Sequence, residues 1–165
     1  DIADRSITLM GASKAFNMAG LGCSFAIIPQ RKLRHEFKKA RWGIVPAVNT
    51  LGLVATQAAY QHGHDWLRQQ IEYLRANRDY LMHEINQIPG LRLDRVEATF
   101  LAWIDVSELE LDKPLAFFEK AGVGLSPGRE FGDDRFMRLN FGCPRSLVEE
   151  AVTRIRLAVS DYQAA

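Results

Sequence analysis

Apolar residues recur at helical spacing through the middle of the chain. In the segment 65–88 they lie three, four or seven positions apart, with Arg, Gln and Glu between them: Leu67, Ile71, Leu74, Leu81, Ile85 and Ile88. Asp65 is suited to cap the first turn, and Pro89–Gly90 is a typical stop signal. The pattern predicts one long amphipathic helix, which we expect to connect two domains.

Beyond Gly90 the pattern changes to short strands separated by helices. Strands are predicted at 91–93, 100–106 and 136–141, and turns at 126–128 and 142–144. A helix is expected at 112–121, with Pro114 in its first turn, and another from Ser146, which would be its N-cap. This alternation predicts a small α/β domain.

The first 64 residues also mix strand and helix patterns. The apolar run Ile7–Met10 predicts a short buried strand, and small residues predict a turn at 11–13. Cys23–Ile28 is a second apolar run, which Pro29 ends. Helices are expected at 30–40 and 49–60, the second largely buried because it is rich in Ala, Leu and Val. A loop is expected at 62–64.

Composition narrows the class of protein and its partners. Of the 165 residues, 47% are hydrophobic and 25% charged, as in soluble globular proteins, and the net charge is only +1. The basic stretch 31–41 also carries Glu36 and lacks a set of aromatics suited to stacking bases, so we expect no nucleic-acid partner. No apolar run reaches the roughly 20 residues of a membrane span, so we expect no membrane partner.

The two cysteines, Cys23 and Cys143, lie far apart, without the spacing of a zinc site or a disulfide framework. We therefore expect a cytoplasmic protein. His62 and His64 have no accompanying ligand cluster, so we predict a solvated loop and no metal site. The chain starts without Met or a signal sequence, which leads us to expect that it begins inside a longer protein.

Two blocks of sequence resemble motifs of one enzyme family. Residues 13–21, SKAFNMAGL, resemble the cofactor-lysine motif of fold-type I pyridoxal-phosphate enzymes, in the branch of cystathionine β-lyases and related C-S lyases. Residues 138–145, RLNFGCPR, resemble that branch's substrate-carboxylate motif. Residues 100–105 and 126–128 between them also fit, so that the resemblance covers essentially the whole chain.

The resemblance implies an α/β fold, namely the C-terminal part of the aminotransferase-like fold. Residues 1–64 would be the C-terminal edge of a large parallel-sheet domain that binds pyridoxal 5'-phosphate. Residues 65–88 would form the connecting helix, and 89–165 the small α/β domain.

Lys14 would be the catalytic and cofactor-binding lysine. A lysine amine can form a Schiff base with the cofactor aldehyde and, once freed by the substrate, can move the substrate's Cα proton. A solvated surface lysine is the alternative, since most lysines are exposed. The small-residue turn and the matching downstream block favour the functional assignment.

Arg138 would bind the substrate carboxylate, because a planar guanidinium matches the two oxygens of a carboxylate. The alternative is a surface ion pair on an edge strand. Arg138 lies among apolar residues, where burying an arginine without a role would be costly. Arg145, between a proline turn and a helix, is expected to be structural.

Ser13 is a candidate cofactor-binding residue that would contact the phosphate, and bonding within its own turn is an equally weighted alternative. Many aminotransferases have a serine three residues before the lysine and an arginine eight residues after it. Gly11 and Gly22 stand there in this chain, which fits the C-S lyase branch better.

Three functions remain open at this point. The first is a C-S lyase that eliminates a thiol from cystathionine or a related small amino acid, leaving pyruvate and ammonia. The second is a class I/II aminotransferase on the same scaffold, and the third is an inactive truncation. The family's other cofactor contacts precede the lysine, so we expect this chain alone to be inactive and its longer parent to be an enzyme. The family also implies a homodimer.

Overall fold

The computed structural model describes residues 2–164, which divide into two compact units, 2–70 (unit 1) and 71–164 (unit 2). Asp1 and Ala165, where the predicted ranges 1–64 and 89–165 begin and end, lie outside the described residues. No helix within 2–164 combines the length and the hydropathy that a bilayer crossing requires.

Unit 1 combines a two-stranded antiparallel sheet with helices. Strands β1 (Thr8–Gly11) and β2 (Ser24–Ile27) pair with Thr8 opposite Ile27. The helices are α1 (Ala12–Ala15), α2 (Arg31–Arg41), α3 (Thr50–His62) and the start of α4 (His64–Ile85). Short 3-10 turns lie at Ala3–Arg5 and Ala19–Leu21. The described strands of unit 1 include no parallel pair, so the large parallel-sheet domain stays a prediction.

Burial in unit 1 differs from what the sequence predicts. All four residues of β1 are exposed, and α3 buries only Gly52 and Thr56. The faces of a strand are buried only where another layer packs on them, and pairing along the edge does not cover them. An apolar composition alone does not say which side of a helix is covered. The predictions of a buried first strand and a largely buried 49–60 helix are therefore wrong for the described residues.

Unit 2 contains a four-stranded antiparallel sheet in the order β3-β4-β6-β5. Its strands are β3 (Arg92–Leu93), β4 (Leu101–Asp105), β5 (Ser126–Pro127) and β6 (Phe136–Asn140). Helices α5 (Pro114–Lys120) and α6 (Arg145–Gln163) join the rest of α4. Short 3-10 turns lie at Ser107–Leu109 and Gly128–Phe131. The mixed α/β character predicted for this part of the chain is confirmed.

The core of unit 2 lies where one face of this sheet meets the helices. Burial alternates along β4 and β6, so that Ala102, Ile104, Met137 and Leu139 are buried while the residues between them are half-buried or exposed. Helix α6 buries one stripe, Val148, Val152, Ile155 and Val159, as its spacing predicts. Leu81 and Ile85 of α4 belong to the same core.

Several local boundaries were predicted wrongly. Residues 12–13 are helical rather than a turn, and 126–127 form a strand that pairs with β6. Helix α4 begins at His64 directly after Gly63, which places Asp65 inside the first turn and removes the predicted loop. Ser146 lies inside α6, which begins at Arg145 behind Pro144. Capping residues and helix interiors share residue types, so neighbouring positions are hard to separate by type alone.

The buried side-chain amide of Asn77 connects α4 to the turn after β6. Asn77 is 1% exposed, and its Nδ2 donates to the carbonyl oxygens of Phe141 (3.1 Å) and Cys143 (2.9 Å). Its Oδ1 is buried without a hydrogen-bond partner among the described residues. The amide group therefore satisfies two carbonyls at the end of the strand that carries Arg138.

We expect Asn77→Ala to lower the free energy of unfolding by about 1–3 kcal/mol, because it leaves buried carbonyl oxygens unpaired. Asn77→Asp should be worse at neutral pH, since a carboxylate cannot donate to them. Burial should raise the pKa of the introduced carboxyl group in the folded state, so this variant should regain stability as the pH falls. Urea unfolding at several pH values measures both effects, with exposed Gln87→Ala as the control. An Asp variant as stable as the wild type at neutral pH would contradict this role for Asn77.

Candidate active site

Lys14 lies in the single helical turn α1 that follows β1 directly. The turn is closed by backbone bonds from Phe16 N to Ala12 O and from Met18 N to Ser13 O, both 2.9 Å. The Lys14 side chain is exposed and makes no hydrogen bond or ion pair with any residue in 2–164. The backbone of Lys14 is therefore fixed at a strand-to-helix junction, while its amine has no partner among the described residues.

An aromatic cluster anchors the chain two residues beyond Lys14. The Phe16 ring lies edge-on to Tyr60, with centroids 5.5 Å apart, and stacks on Trp66 at 6.4 Å. Tyr60 also meets Phe25 of β2 at 5.9 Å. At Gly63 a Cβ atom would lie 2.8 Å from the Phe16 ring, so only glycine permits this approach. Tyr60 and Trp66 thus have packing roles.

Asn49 connects α3 to the 3-10 turn Ala19–Leu21, which follows Lys14 along the chain. Its Oδ1 accepts from the N–H of Gly52 (2.7 Å), capping α3, while its Nδ2 donates to the carbonyl of Leu21 (2.8 Å). At Gly52 a Cβ atom would lie 2.5 Å from that same carbonyl. The Asn49 side chain therefore joins the start of α3 to this 3-10 turn, and the close approach requires glycine at position 52.

Ser13 is half-buried beside Lys14. No described residue forms a hydrogen bond with its hydroxyl. The alternative of bonding within the local turn therefore has no support in this geometry, and the hydroxyl remains available for a ligand.

Arg138 lies on β6, in a row of three side chains that crosses the sheet. It is paired with Trp103 of β4 on one side and Ser126 of β5 on the other. Its Nη2 donates to Ser126 Oγ (3.1 Å), and its Cζ lies 4.1 Å from the centre of the Phe131 ring. Alternation places this row on the face opposite the core, where Arg138 is half-buried.

The surface ion-pair alternative for Arg138 does not hold. No carboxylate within residues 2–164 lies within 4.0 Å of its guanidinium, and β6 is an inner strand with neighbours on both sides. Asp133, just before β6, is bound by Arg135, whose Nη2 lies 2.6 Å from Oδ2. The hydrogen bond from Arg135 lowers the pKa of Asp133. Arg138 therefore keeps a positive charge without an acidic partner.

Sequence reasoning missed Phe131 and the stacking role of Trp103. Trp103 stacks on Phe136 with centroids 5.2 Å apart and meets Phe131 edge-on at 5.8 Å. Strand alternation could have placed Trp103 and Arg138 on half-open faces. Their register could not be inferred, because some 30 residues separate the two strands along the chain.

The other candidates have structural roles. The backbone N–H of Arg145 donates to the Tyr73 hydroxyl (2.7 Å), and its guanidinium lies 4.6 Å from the Tyr80 ring, as expected for a residue that positions α6. Burial raises the pKa of the Cys143 thiol, which therefore stays protonated and is a poor nucleophile. No group of three or more His, Cys, Asp or Glu suited to a metal occurs within residues 2–164.

The predicted site residues are divided between the two units. Ser13 and Lys14 belong to unit 1, and Arg138 belongs to unit 2. In unit 1 the structure combines an unpaired amine with an unengaged hydroxyl. In unit 2 it places an unpaired guanidinium among aromatic rings.

Comparisons with known proteins identify the family. The profile of the family described as Aminotransferase class I and II matches residues 2–155. Cystathionine β-lyase PatB of Bacillus subtilis is 34% identical, over 97% of this chain and 43% of PatB. The crystal structure of OvoB is 54% identical with a TM-score of 0.93, over 96% of this chain and 42% of that one. The crystal structure of cystalysin from Treponema denticola, which contains a pyridoxal 5'-phosphate cofactor, is 30% identical with a TM-score of 0.89, over 97% of this chain and 42% of that one.

The chain spans less than half the length of these relatives. The resemblance inferred from the residues around Lys14 and Arg138 is confirmed, because a C-S lyase of the predicted branch is among the relatives and the family profile covers nearly the whole chain. The chain belongs to the aminotransferase class I and II family.

Proposed function

We propose that the chain is the C-terminal portion of a pyridoxal-phosphate C-S lyase. The enzyme would break the Cβ–S bond of cystathionine or a related amino acid by elimination and, with one water consumed, would give a thiol, pyruvate and ammonia. The unpaired guanidinium of Arg138, held on an inner strand by Ser126 and Phe131, is the observation that carries the proposal. The similarity to PatB, named a cystathionine β-lyase, supports it.

The side chains near Lys14 fit pyridoxal 5'-phosphate. The cofactor requires a primary amine for its aldehyde and donors for its phosphate, and unit 1 offers the free amine of Lys14 and the free hydroxyl of Ser13. When bound, pyridoxal phosphate serves as an electron sink for a carbanion at the substrate Cα. Lys14 would hold the cofactor and Ser13 would contact its phosphate.

Each residue has a separate task in this proposal. Lys14 would take the Cα proton on Nζ, and the Cβ–S bond would then break with its electron pair leaving on sulfur. The sulfur would take up a proton to become the thiol, and water would hydrolyse the remaining three-carbon fragment to pyruvate and ammonia. Arg138 binds the substrate carboxylate through two parallel N–H···O bonds and so orients the Cα–H bond. Binding of the substrate and removal of the proton therefore depend on different residues.

In the full-length protein, other residues would complete the contacts to the cofactor. An aspartate for the pyridine nitrogen, an aromatic on the ring and a glycine turn for the phosphate would come from residues before Lys14. We therefore infer that this chain alone is catalytically inactive. We also infer that the full-length protein is a cytoplasmic homodimer acting on a small amino acid, and sedimentation at micromolar concentration measures the subunit number directly.

A class I/II aminotransferase is the second candidate, because the matching family profile carries that name. Both reactions begin with the same proton transfer to Lys14. Their later steps differ, since elimination needs no amino acceptor and sustained transamination does.

We expect Lys14→Ala in the full-length protein to abolish covalent cofactor attachment and to lower turnover at least about a hundredfold, because the anchor and the proton carrier are both lost. Borohydride reduction followed by peptide mass spectrometry locates the attached cofactor. Lys39→Ala on the exposed helix α2 is the matched control. Attachment of the cofactor to another lysine, with turnover retained, would refute the assignment.

We expect Arg138→Ala to leave cofactor attachment at Lys14 intact but to weaken amino-acid binding by about 2–5 kcal/mol, since the carboxylate loses its charged partner. Arg138→Lys keeps the charge without the two-pronged geometry and should recover only part of the loss. Titration with an unreactive amino acid measures both. Unchanged affinity in Arg138→Ala would remove the carboxylate-binding role.

We expect the full-length protein to release pyruvate from cystathionine without an added keto acid, and to do so over many turnovers. The measurement is pyruvate formation with and without 2-oxoglutarate. Formation of the keto acid of cystathionine in place of pyruvate, stopping after about one equivalent per site and resuming on addition of 2-oxoglutarate, would favour the aminotransferase instead.

A further inference from the structure

We propose that Phe131 is a positioning residue for recognition of the amino-acid carboxylate. Its ring holds the guanidinium of Arg138 so that the remaining N–H groups are presented to the carboxylate. The inference rests on the proposed function, because it assumes that Arg138 binds that carboxylate.

The contact leaves the binding edge of Arg138 free. Cζ lies over the Phe131 ring at 4.1 Å, within the distance at which a cation is attracted to an aromatic face. The N–H groups of a guanidinium lie in its own plane, so a ring over its face does not compete with them. Nη2 donates one of its two N–H groups to Ser126, while Nε and Nη1 have no hydrogen-bond partner within residues 2–164. The second N–H of Nη2, together with Nε or Nη1, therefore still offers an edge with two parallel donors.

Phe131 is itself held in place by its neighbours. Trp103, the cross-strand partner of Arg138, meets the Phe131 ring edge-on at 5.8 Å. Phe131 ends a short 3-10 turn that begins at Gly128, where a Cβ atom would lie 2.1 Å from the Asp133 carbonyl and 2.5 Å from that of Phe136. Glycine is therefore required for the turn to lie this close to β6 and to bring the ring over the guanidinium.

Core packing does not account for the position of Phe131. The side chain is 49% exposed and lies outside the buried core of unit 2. A half-exposed phenyl ring that lies over an unpaired cation restricts the conformations which that cation can adopt. A flexible arginine loses rotamer freedom when it binds, and holding it beforehand lowers this entropic cost.

The test uses the full-length, cofactor-loaded protein with Phe131→Ala, Phe131→Leu and Phe131→Tyr. The probe is an α-methyl amino acid, which has no Cα proton to lose, and its methyl ester, which has no carboxylate. Phe131→Ala should weaken binding of the acid by about two- to thirtyfold, the range of a cation–aromatic contact, with no change for the ester. Phe131→Tyr should restore acid binding, and Phe131→Leu, which keeps bulk but no aromatic face, should not.

With cystathionine as substrate, Phe131→Ala should raise KM by a similar factor with kcat nearly unchanged. Equal weakening of the acid and the ester would overturn the inference, because it would indicate a general structural role. Full recovery in Phe131→Leu would also overturn it, since bulk alone would then be sufficient.

Arg138→Ala separates this inference from the proposed function. If Arg138→Ala weakens binding of the acid and Phe131→Ala does not, only the positioning role of Phe131 is wrong. If Arg138→Ala itself binds the acid as the wild type does, the proposed function fails and this inference fails with it.

Discussion

The pairing of β4 with β6 fixes which side chains of unit 2 enter the core and which face away from it. Since successive residues of a strand point to opposite faces, placing Met137 and Leu139 in the core necessarily puts Arg138 on the other face. A register slip of one residue would bury the guanidinium and expose both apolar neighbours. The position of the candidate carboxylate-binding group is therefore set by the same constraint that builds the core.

Periodicity predicted the elements that depend on this core. The stripe Val148, Val152, Ile155 and Val159 identified α6, and its buried face matches the prediction. Periodicity failed where burial depends on contacts that the local sequence does not encode. Strand β1 and helix α3 have apolar compositions, but most of their residues are exposed. Ser126–Pro127 has turn-forming residues, yet it pairs with β6 because proline is tolerated on an edge strand.

The candidate site shows the same contrast between features that the local sequence encodes and features that depend on distant contacts. Lys14 and Arg138 are candidates from the sequence because the proposed chemistry demands an amine and a planar cation, and each lies in a recognisable block of sequence. The residues that pack around them could not be identified in this way. Phe16 is fixed by Tyr60, Trp66 and the close approach at Gly63, contacts between segments more than 40 residues apart. Phe131 reaches Arg138 through a tight turn whose geometry depends on Gly128.

Arg135 and Arg138 lie three residues apart and show two ways of accommodating a charge. Arg135 binds the carboxylate of Asp133, so its charge is largely cancelled and an incoming anion gains little from it. Arg138 has a neutral hydroxyl and an aromatic ring as its partners, which fix its position without cancelling its charge. Partial burial weakens the screening of that charge by water, and this strengthens its attraction for a carboxylate. A site that must bind and release an anionic substrate needs this second arrangement, because an internal ion pair would have to break each time the ligand entered.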